Sequence, residues 1–347
     1  MEFDTKQGYL HDILLQPDAL TNTYNYLLSS FSLGEIPSKI KSGKYSRIIL
    51  TGMGSSHFIF YPLYYELVQQ SIPVTIIEGA ELINFADNLI QRDSLVITAS
   101  QSGNSAETVH LLEINQTRGA TILGITNTAD SKLAKGANVV VLTQAGTEAT
   151  VSCKTYVSAL MAIRWIQDAL FEKDLSLVKK ETAEVSSLVK SYIDHWMDHV
   201  EYIKKELAEK TNFFMCSRGP SLAAVFTGSL TGKESTTKHV EGLSCPALRH
   251  GPKEMMVDGT YVMMFAGPKK TQELNRKLAS ELEQQGARVA WVGSDSVIPA
   301  YHLPECPDSL LPILEILPTE MFNLALADVN NHVAGTFSHA SKITNKE

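Results

Sequence analysis

The residues best suited to chemistry follow a short apolar run, Val96–Ala99, which has the character of a β-strand. A turn rich in hydroxyl and amide side chains leads from it into helical spacing: Ser100, Gln101, Ser102, Gly103, Asn104 and Ser105. Such a turn presents backbone N–H groups, hydroxyl donors and the positive end of a helix dipole. It predicts an anion site, and three serines suit a phosphate better than a carboxylate. The alternative is an ordinary capped helix start, where Ser and Asn are common.

A carboxylate and an imidazole could supply acid–base chemistry. Glu234 lies in Ser229–Glu241, a stretch that we interpret as helical, and His250 precedes a Gly-Pro pair after Pro246 has ended the helix. A histidine on such a stiff turn is well placed to point into a cleft. Together the two groups suffice for ring opening and proton transfer at a sugar carbonyl. Taken singly, Glu234 could be a solvated helix residue and His250 a loop residue bonded to the backbone.

A lysine close to the end of the sequence could add a covalent step. Lys342 lies among small polar residues, and an amine on a tail that folds back over a site could form a Schiff base with a ketose carbonyl. The alternative is an exposed tail lysine, since most lysines are solvated. Glu148 and Lys154 follow the end of a predicted strand and could face the same cleft.

Composition excludes several classes of protein. The chain has 347 residues, 44% of them hydrophobic and 20% charged, as in a soluble globular protein with room for two domains. A formal charge of −8 without a basic stripe argues against a nucleic-acid partner. The four cysteines form no C-x-x-C pair and are far apart, which predicts neither a metal site nor a disulfide framework and therefore a reducing cytoplasm. We also expect no cofactor. We expect no signal peptide, because the N-terminus carries Asp4 and Lys6 and lacks a continuous apolar core. We expect no membrane span, because the apolar Val157–Ile166 is interrupted by Arg164 and too short.

The elements that must position these residues alternate between strand and helix. The predicted strands are Ile48–Thr51, Val74–Glu78, Leu95–Ala99, Thr121–Ile125, Val139–Leu142, Phe213–Cys216, Val262–Phe265 and Val289–Val292. Continuous apolar strands separated by helices predict an α/β fold in which helices flank parallel, doubly wound sheets. Ligands bind at the carboxyl ends of such strands, where Gly52–Ser56 and Ser100–Ser105 both fall.

The chain divides into four predicted segments. We assign 1–45 to an N-terminal helical segment, 46–153 to a first domain, 154–210 to a helical bridge and 211–347 to a second domain with a C-terminal tail. A strand–glycine–helix pattern occurs at Gly54 and again 165 residues later at Gly219. This indicates either duplication of one α/β domain or the strand–glycine–helix turn common to Rossmann-like halves.

Many of these motifs together resemble the sugar isomerase (SIS) domain family, in particular the isomerase half of glutamine–fructose-6-phosphate aminotransferases. The motifs that match in order over nearly the whole chain are Tyr9–Ile13, Gln16-Pro17, Gly52–Ser56, Ser100–Gly103 with Ser105, Ala145–Glu148, Lys154, Arg218–Pro220, Lys233-Glu234, Glu241, His250–Pro252 and Lys342–Thr344. The resemblance implies two repeated SIS domains, each with a flavodoxin-like sheet, and at least a homodimer.

The resemblance also implies roles for particular residues. Glu234 would move a proton between C1 and C2, His250 of a neighbouring subunit would open the sugar ring, and Lys342 would hold the keto group. The positions implied to bind the phosphosugar are Gly54, Ser55, Ser56, Ser100, Gln101, Ser102, Ser105 and Val151.

Three departures from the aminotransferase pattern bear on the substrate. No glutaminase part with its N-terminal cysteine nucleophile occurs in the sequence, Thr231 replaces a lysine, and Ala247 replaces a glutamate. We therefore expect removal of an amine rather than glucosamine synthesis: an aminosugar-6-phosphate deaminase/isomerase or a sugar-amine-6-phosphate deglycase. The alternatives are a plain aldose–ketose isomerase and a non-catalytic phosphosugar sensor. The combination of Glu234, His250 and Lys342 favours an enzyme, since a sensor needs only the phosphate loop.

Overall fold

The computed structural model describes residues 3–337, 339 and 342. Contacts group the chain into two compact units, each assembled from separate stretches. The five-stranded unit comprises the described residues of Gln16–Glu148, Cys153–Ser186 and Ser341–Glu347, and the four-stranded unit those of Met1–Leu15, Ala149–Ser152 and Ser187–Ala340. The predicted domain borders after residues 45, 153 and 210 stay a prediction.

The strands, in chain order, are β1 (Arg47–Gly52), β2 (Val74–Glu78), β3 (Ser94–Ala99), β4 (Thr121–Thr126), β5 (Val139–Leu142), β6 (Asn212–Ser217), β7 (Val240–Ser244), β8 (Thr260–Phe265) and β9 (Arg288–Val292). The helices are α1 (Gly8–Leu14), α2 (Gln16–Ser30), α3 (Ile36–Lys41), α4 (Ser55–Phe58), α5 (Tyr61–Gln69), α6 (Gly79–Phe85), α7 (Ala106–Arg118), α8 (Lys132–Gly136), α9 (Lys154–Ala169), α10 (Ser176–Ile193), α11 (Trp196–Glu206), α12 (Leu222–Thr236), α13 (Cys245–Arg249), α14 (Lys269–Gln284) and α15 (Leu311–Val329).

Both sheets are parallel and share one strand order over their first four strands. The first runs β2-β1-β3-β4-β5 and the second β7-β6-β8-β9. The central strands β3 and β8 are buried along their whole length, because helices cover both faces of a doubly wound sheet. The predicted fold class, α/β with two parallel doubly wound sheets, is confirmed, and the first sheet has the flavodoxin strand order.

Two local predictions are wrong. The stretch Ser229–Glu241 is not helical throughout, because α12 ends at Thr236 and strand β7 begins at Val240. Pro246 does not end a helix but begins one: it occupies the first turn of α13, where the hydroxyl of Ser244 accepts a hydrogen bond from the backbone N–H of Ala247 at 3.2 Å. Proline suits this position because the first N–H groups of a helix have no intrahelical partner.

Helix α15 lies in the core of the four-stranded unit and is buried from Pro312 to Ala327. Within the described part of the chain, no helix combines the length and apolar character that crossing a bilayer requires. Helix α15 also carries Glu315, which is 1% exposed and accepts a hydrogen bond of 2.8 Å from the Ser221 hydroxyl. Burial raises the pKa of Glu315 to about 8, against the opposing effect of that hydrogen bond.

We expect the buried carboxyl group of Glu315 to make stability fall as the pH rises. The folded state holds its proton up to about pH 8, whereas the unfolded chain loses it near pH ~4.3. The folded state therefore binds more protons between these values, and the free energy of unfolding falls by up to about 1.4 kcal/mol per pH unit. Glu315→Gln, which stays neutral, should flatten this dependence in melting temperatures measured from about pH 5 to 9. Parallel profiles of variant and wild type would contradict the assignment, and exposed Glu273→Gln is the control.

Candidate active site

Two polar turns lie at the same edge of the first sheet. Strands β1 and β3 are parallel neighbours, and Gly52 is in register with Ala99, so the turns that follow them are adjacent. The turn after β1 passes through Gly54, whose φ of +51° favours glycine, and continues into α4 with Ser55 and Ser56. The predicted phosphate positions of both turns therefore lie in one unit, at the carboxyl edge where doubly wound sheets bind ligands.

The turn after β3 is fixed by its own backbone and side chains. The backbone N–H of Gly103 donates to the hydroxyl of Ser100 at 3.2 Å, and that of Asn104 donates to the hydroxyl of Ser102 at 3.2 Å. The carbonyl of Gln101 accepts a hydrogen bond of 3.1 Å from the backbone of Asn127 beyond β4. A loop fixed in this way needs little further ordering to bind a ligand.

Helix α7 begins directly after this turn. Its N-cap residue, Ser105, makes no side-chain hydrogen bond to the first-turn N–H groups. The Ser105 hydroxyl instead lies 2.8 Å from the hydroxyl of Thr108. The N–H groups and dipole of a 13-residue helix thus face the same edge as the serines, which is the arrangement that binds phosphate. Thr108 was not among the predicted residues, because a threonine three residues after an N-cap serine is not the Glu or Gln of a capping box.

A second missed residue is Glu107, in the first turn of α7. The side chain is buried, at 7% exposure, and its Oε2 has no hydrogen-bond partner among the described residues. Its Cβ lies close to Gly79, 3.5 Å from where a Cβ of that glycine would be. Nothing in the spacing of the sequence distinguishes this glutamate from a solvated one, so its burial could be found only from the structure.

Lys342 lies against Glu148 within the five-stranded unit. Its Nζ is 2.5 Å from Oε2 of Glu148, although the two residues are 194 positions apart. The Glu148 side chain is fully buried and that of Lys342 is 24% exposed. The sequence suggested both residues for a cleft but not their contact, and the structure brings them together.

Glu234 lies on α12 of the four-stranded unit and is half-buried. The neighbouring Lys233 donates hydrogen bonds to the Ser229 hydroxyl at 3.0 Å and to the Val240 carbonyl at 3.1 Å. Burial lowers the pKa of Lys233, and the charges of Glu241 and Glu234 oppose that shift.

His250 lies at the C-terminal end of α13, in the same unit as Glu234. It is exposed, its backbone N–H donates to the Ala247 carbonyl at 3.0 Å, and Gly251 follows with a φ of +127°. The predicted turn thus forms and leaves the imidazole open to solvent. The roles of Glu234 and His250 stay predictions.

The two substitutions relative to the aminotransferase pattern have different surroundings. Thr231 is 1% exposed, and its hydroxyl donates to the Gly228 carbonyl at 3.2 Å and accepts from the amide of Asn323 at 3.1 Å. This position therefore serves the packing of α12 against α15. Ala247 is exposed on α13, where a small side chain replaces a charged one. Val151, predicted to bind substrate, is 1% exposed and belongs to the four-stranded unit.

One cavity lies away from every predicted residue. It has a volume of about 850 Å³ and is bounded by the end of α10, by α11 and by the loop before α15, with His195, His199 and His302 in its wall. Burial lowers the pKa of His199, with a smaller effect from His195. Among the residues that the structure describes, no three His, Cys, Asp or Glu side chains are grouped so that they could hold a metal ion.

A comparison with protein families agrees with the α/β fold described above. Residues 43–166, which include both polar turns, match the family model of the SIS domain. Residues 43–166 are thus similar to an SIS domain.

Individual relatives match a larger part of the chain than the family model does. The chain is 30% identical to glutamine–fructose-6-phosphate aminotransferase (isomerizing) of Pyrococcus horikoshii, over 96% of this chain and 57% of that relative. The chain therefore spans little more than half of the relative and resembles its isomerase part. Among solved structures, the C-terminal domain of glucosamine-fructose-6-phosphate aminotransferase from Francisella tularensis has a TM-score of 0.79 at 20% identity, covering 96% of this chain and 100% of that one. Glucosamine-6-phosphate deaminase from Thermotoga maritima has a TM-score of 0.77 at 19% identity, with the same coverage. These two likenesses show the fold.

Proposed function

We propose that this protein is a phosphosugar enzyme that releases an amine, either an aminosugar-6-phosphate deaminase/isomerase or a sugar-amine-6-phosphate deglycase. One observation carries the proposal: two hydroxyl-bearing turns and the N-terminus of α7 meet at the carboxyl edge of one sheet. This is a phosphate cradle, and it occurs in a chain that also supplies a carboxylate, an imidazole and a lysine. Amine chemistry enters through the relatives, whose names describe an aminotransferase and a deaminase.

The proposed reaction uses each of these residues once. Ser100, Ser102 and Ser105 bind the phosphate, and His250 opens the ring by moving a proton from the anomeric hydroxyl to the ring oxygen. Glu234 then takes the proton from C2 of an open 2-aminosugar and returns it to C1, which gives a 2-imine. Water hydrolyses this imine to a ketose phosphate and ammonia.

For a sugar–amine conjugate, Glu234 transfers the proton in the opposite direction, from C1 to C2. Glu234 takes the proton from C1, which bears the amine, and returns it to C2. The resulting 1-imine is hydrolysed to an aldose phosphate and the free amine. In both directions Lys342 stabilises the oxygen or nitrogen at C2 through its positive charge. The proposal includes a homodimer or higher oligomer, because the exposed imidazole of His250 is assigned to a neighbouring site.

Two other functions compete with this one. A plain aldose–ketose isomerase uses the same proton transfer without an amine, and a phosphosugar sensor needs the phosphate loop alone. A panel of 6-phosphorylated aminosugars and fructosyl-amino acids distinguishes them through release of ammonia or free amino acid. Isomerisation without release would identify the plain isomerase. Binding without proton exchange would identify the sensor.

We expect the phosphate group itself to govern binding. A 6-phosphosugar at about 100 times its dissociation constant should stabilise the protein by about 2.7 kcal/mol, because the turn serines and the α7 N-terminus bind only the phosphate. Thermal unfolding with the same sugar lacking phosphate is the control. Equal stabilisation by both sugars would remove the phosphate assignment.

A further inference from the structure

We propose that Glu148 is a positioning residue for Lys342: a buried carboxylate that fixes the lysine amine for its part in the reaction. The inference rests on the proposed function, in which Lys342 acts at C2 of the sugar. It adds a residue that acts through Lys342 and itself touches no substrate.

The carboxylate of Glu148 is held from several sides. Its Oε1 accepts backbone hydrogen bonds from Cys153 at 2.9 Å and Thr155 at 3.0 Å, and its Oε2 accepts the Thr155 hydroxyl at 2.7 Å. These donors lie at the start of α9, where a negative charge is favourable. Lys342 supplies a further donor to Oε2 at 2.5 Å. A carboxylate has about four acceptor sites. The four hydrogen bonds occupy all of them, which fixes the orientation of the Glu148 carboxylate.

Burial makes this ion pair different from an ordinary surface pair. A solvent-exposed pair restrains a lysine weakly, because water screens the charges and the side chain keeps many rotamers. Here the carboxylate is fully buried, and 24% of the lysine side chain remains exposed. The exposed part leaves a route to a ligand while the carboxylate sets the position of Nζ.

Glu148→Gln separates positioning from helix capping. The amide oxygen of glutamine can still accept the two backbone hydrogen bonds at the start of α9, but the charge that holds Lys342 is gone. Thr155→Val is the matched control, because it removes the hydroxyl donor and leaves both charges. Glu148→Asp is a second variant, since it keeps the charge and shortens the reach by one methylene.

The first readout needs no activity. Lysine acylation by an N-hydroxysuccinimide ester, followed by peptide mass spectrometry, reports how accessible the Lys342 amine is. We expect Glu148→Gln to raise the acylation rate of Lys342 at least threefold and Glu148→Asp to raise it less. Thr155→Val should leave it unchanged, and Lys135, with 68% of its side chain exposed, is the internal reference.

The second readout is kinetic. Glu148→Gln should lower kcat by about as much as Lys342→Ala, at unchanged KM for the phosphosugar, and the double variant should be no slower than either single one. Unchanged acylation in Glu148→Gln, or additive losses in the double variant, would overturn the inference while wild-type turnover upholds the proposed function. A wild type that turns over no phosphosugar overturns the proposed function and the positioning role with it, whatever the acylation result.

Discussion

Glu234→Gln is expected to lower kcat by about 10²–10⁴-fold, the usual contribution of a positioned acid–base group, while phosphosugar binding survives. Glutamine keeps the shape of the side chain on α12 but cannot accept the carbon-bound proton. The two polar turns that we propose to bind the phosphate belong to the other unit, so the thermal stabilisation by a 6-phosphosugar should be that of the wild type. Solvent deuterium should enter C1 or C2 of the sugar with the wild type and not with the variant.

The control for this variant is Glu273→Gln, an exposed carboxylate on α14 of the same unit. Its kcat should be that of the wild type. Normal turnover by Glu234→Gln would show that the proton transfer has been assigned to the wrong residue. Mixing Glu234→Gln with His250→Ala chains adds a test of assembly, because partial recovery of activity requires the two residues to complete one site from different subunits.

Gly103→Ala is expected to abolish stabilisation by phosphosugars and to lower the free energy of unfolding. Gly103 has a φ of +63°, and a Cβ there would lie 2.2 Å from the Ser131 hydroxyl oxygen. Backbone strain costs an alanine about 1–2 kcal/mol at such a φ, and overpacking adds about 1–3 kcal/mol. The loop must shift to relieve the contact, which moves Ser100 and Ser102 out of place.

Gly43→Ala is the control that separates backbone strain from displacement of the loop. Gly43 has a φ of +69° but nothing within 4 Å of the added Cβ, and it precedes β1, at the opposite end of that strand from the phosphate turns. This variant should lose only the strain energy and keep the full phosphosugar stabilisation in thermal unfolding. If Gly103→Ala binds phosphosugars as well as Gly43→Ala does, the turn is not a phosphate loop.

The strands that could be predicted from the sequence are those with continuous apolar runs, and they include the partly buried edge strands β2 and β5. Strand β7 was missed for a physical reason. Like β2 and β5 it is a partly buried edge strand, but Glu241 and Gly242 interrupt its apolar run. Gly242 serves close packing, since a Cβ there would lie 2.9 Å from Cβ of Ser229 on α12. Such a strand shows neither an apolar run nor alternation.

The polar turn after β3 was predictable because its residues are consecutive. Ser100–Ser105 form one turn, so strand, loop and helix signals coincide in a few positions, and the turn lies where they indicate. The pairing of Glu148 with Lys342 joins positions 194 apart, for which no local periodicity exists. Burial of Glu107 and Thr231 depends on neighbouring helices and was equally inaccessible to sequence patterns.

The separate stretches that build each unit have a consequence for synthesis on the ribosome. Tyr9 leaves the exit tunnel before Asn323, which is made 314 residues later and donates a hydrogen bond to the Tyr9 hydroxyl. Translation at about 5–20 residues per second separates the two by some tens of seconds at the lower speeds. Helix α1 must therefore wait, without its final partner, while the five-stranded sheet is synthesised. Every strand of the five-stranded sheet is therefore synthesised before α1 can dock against α15.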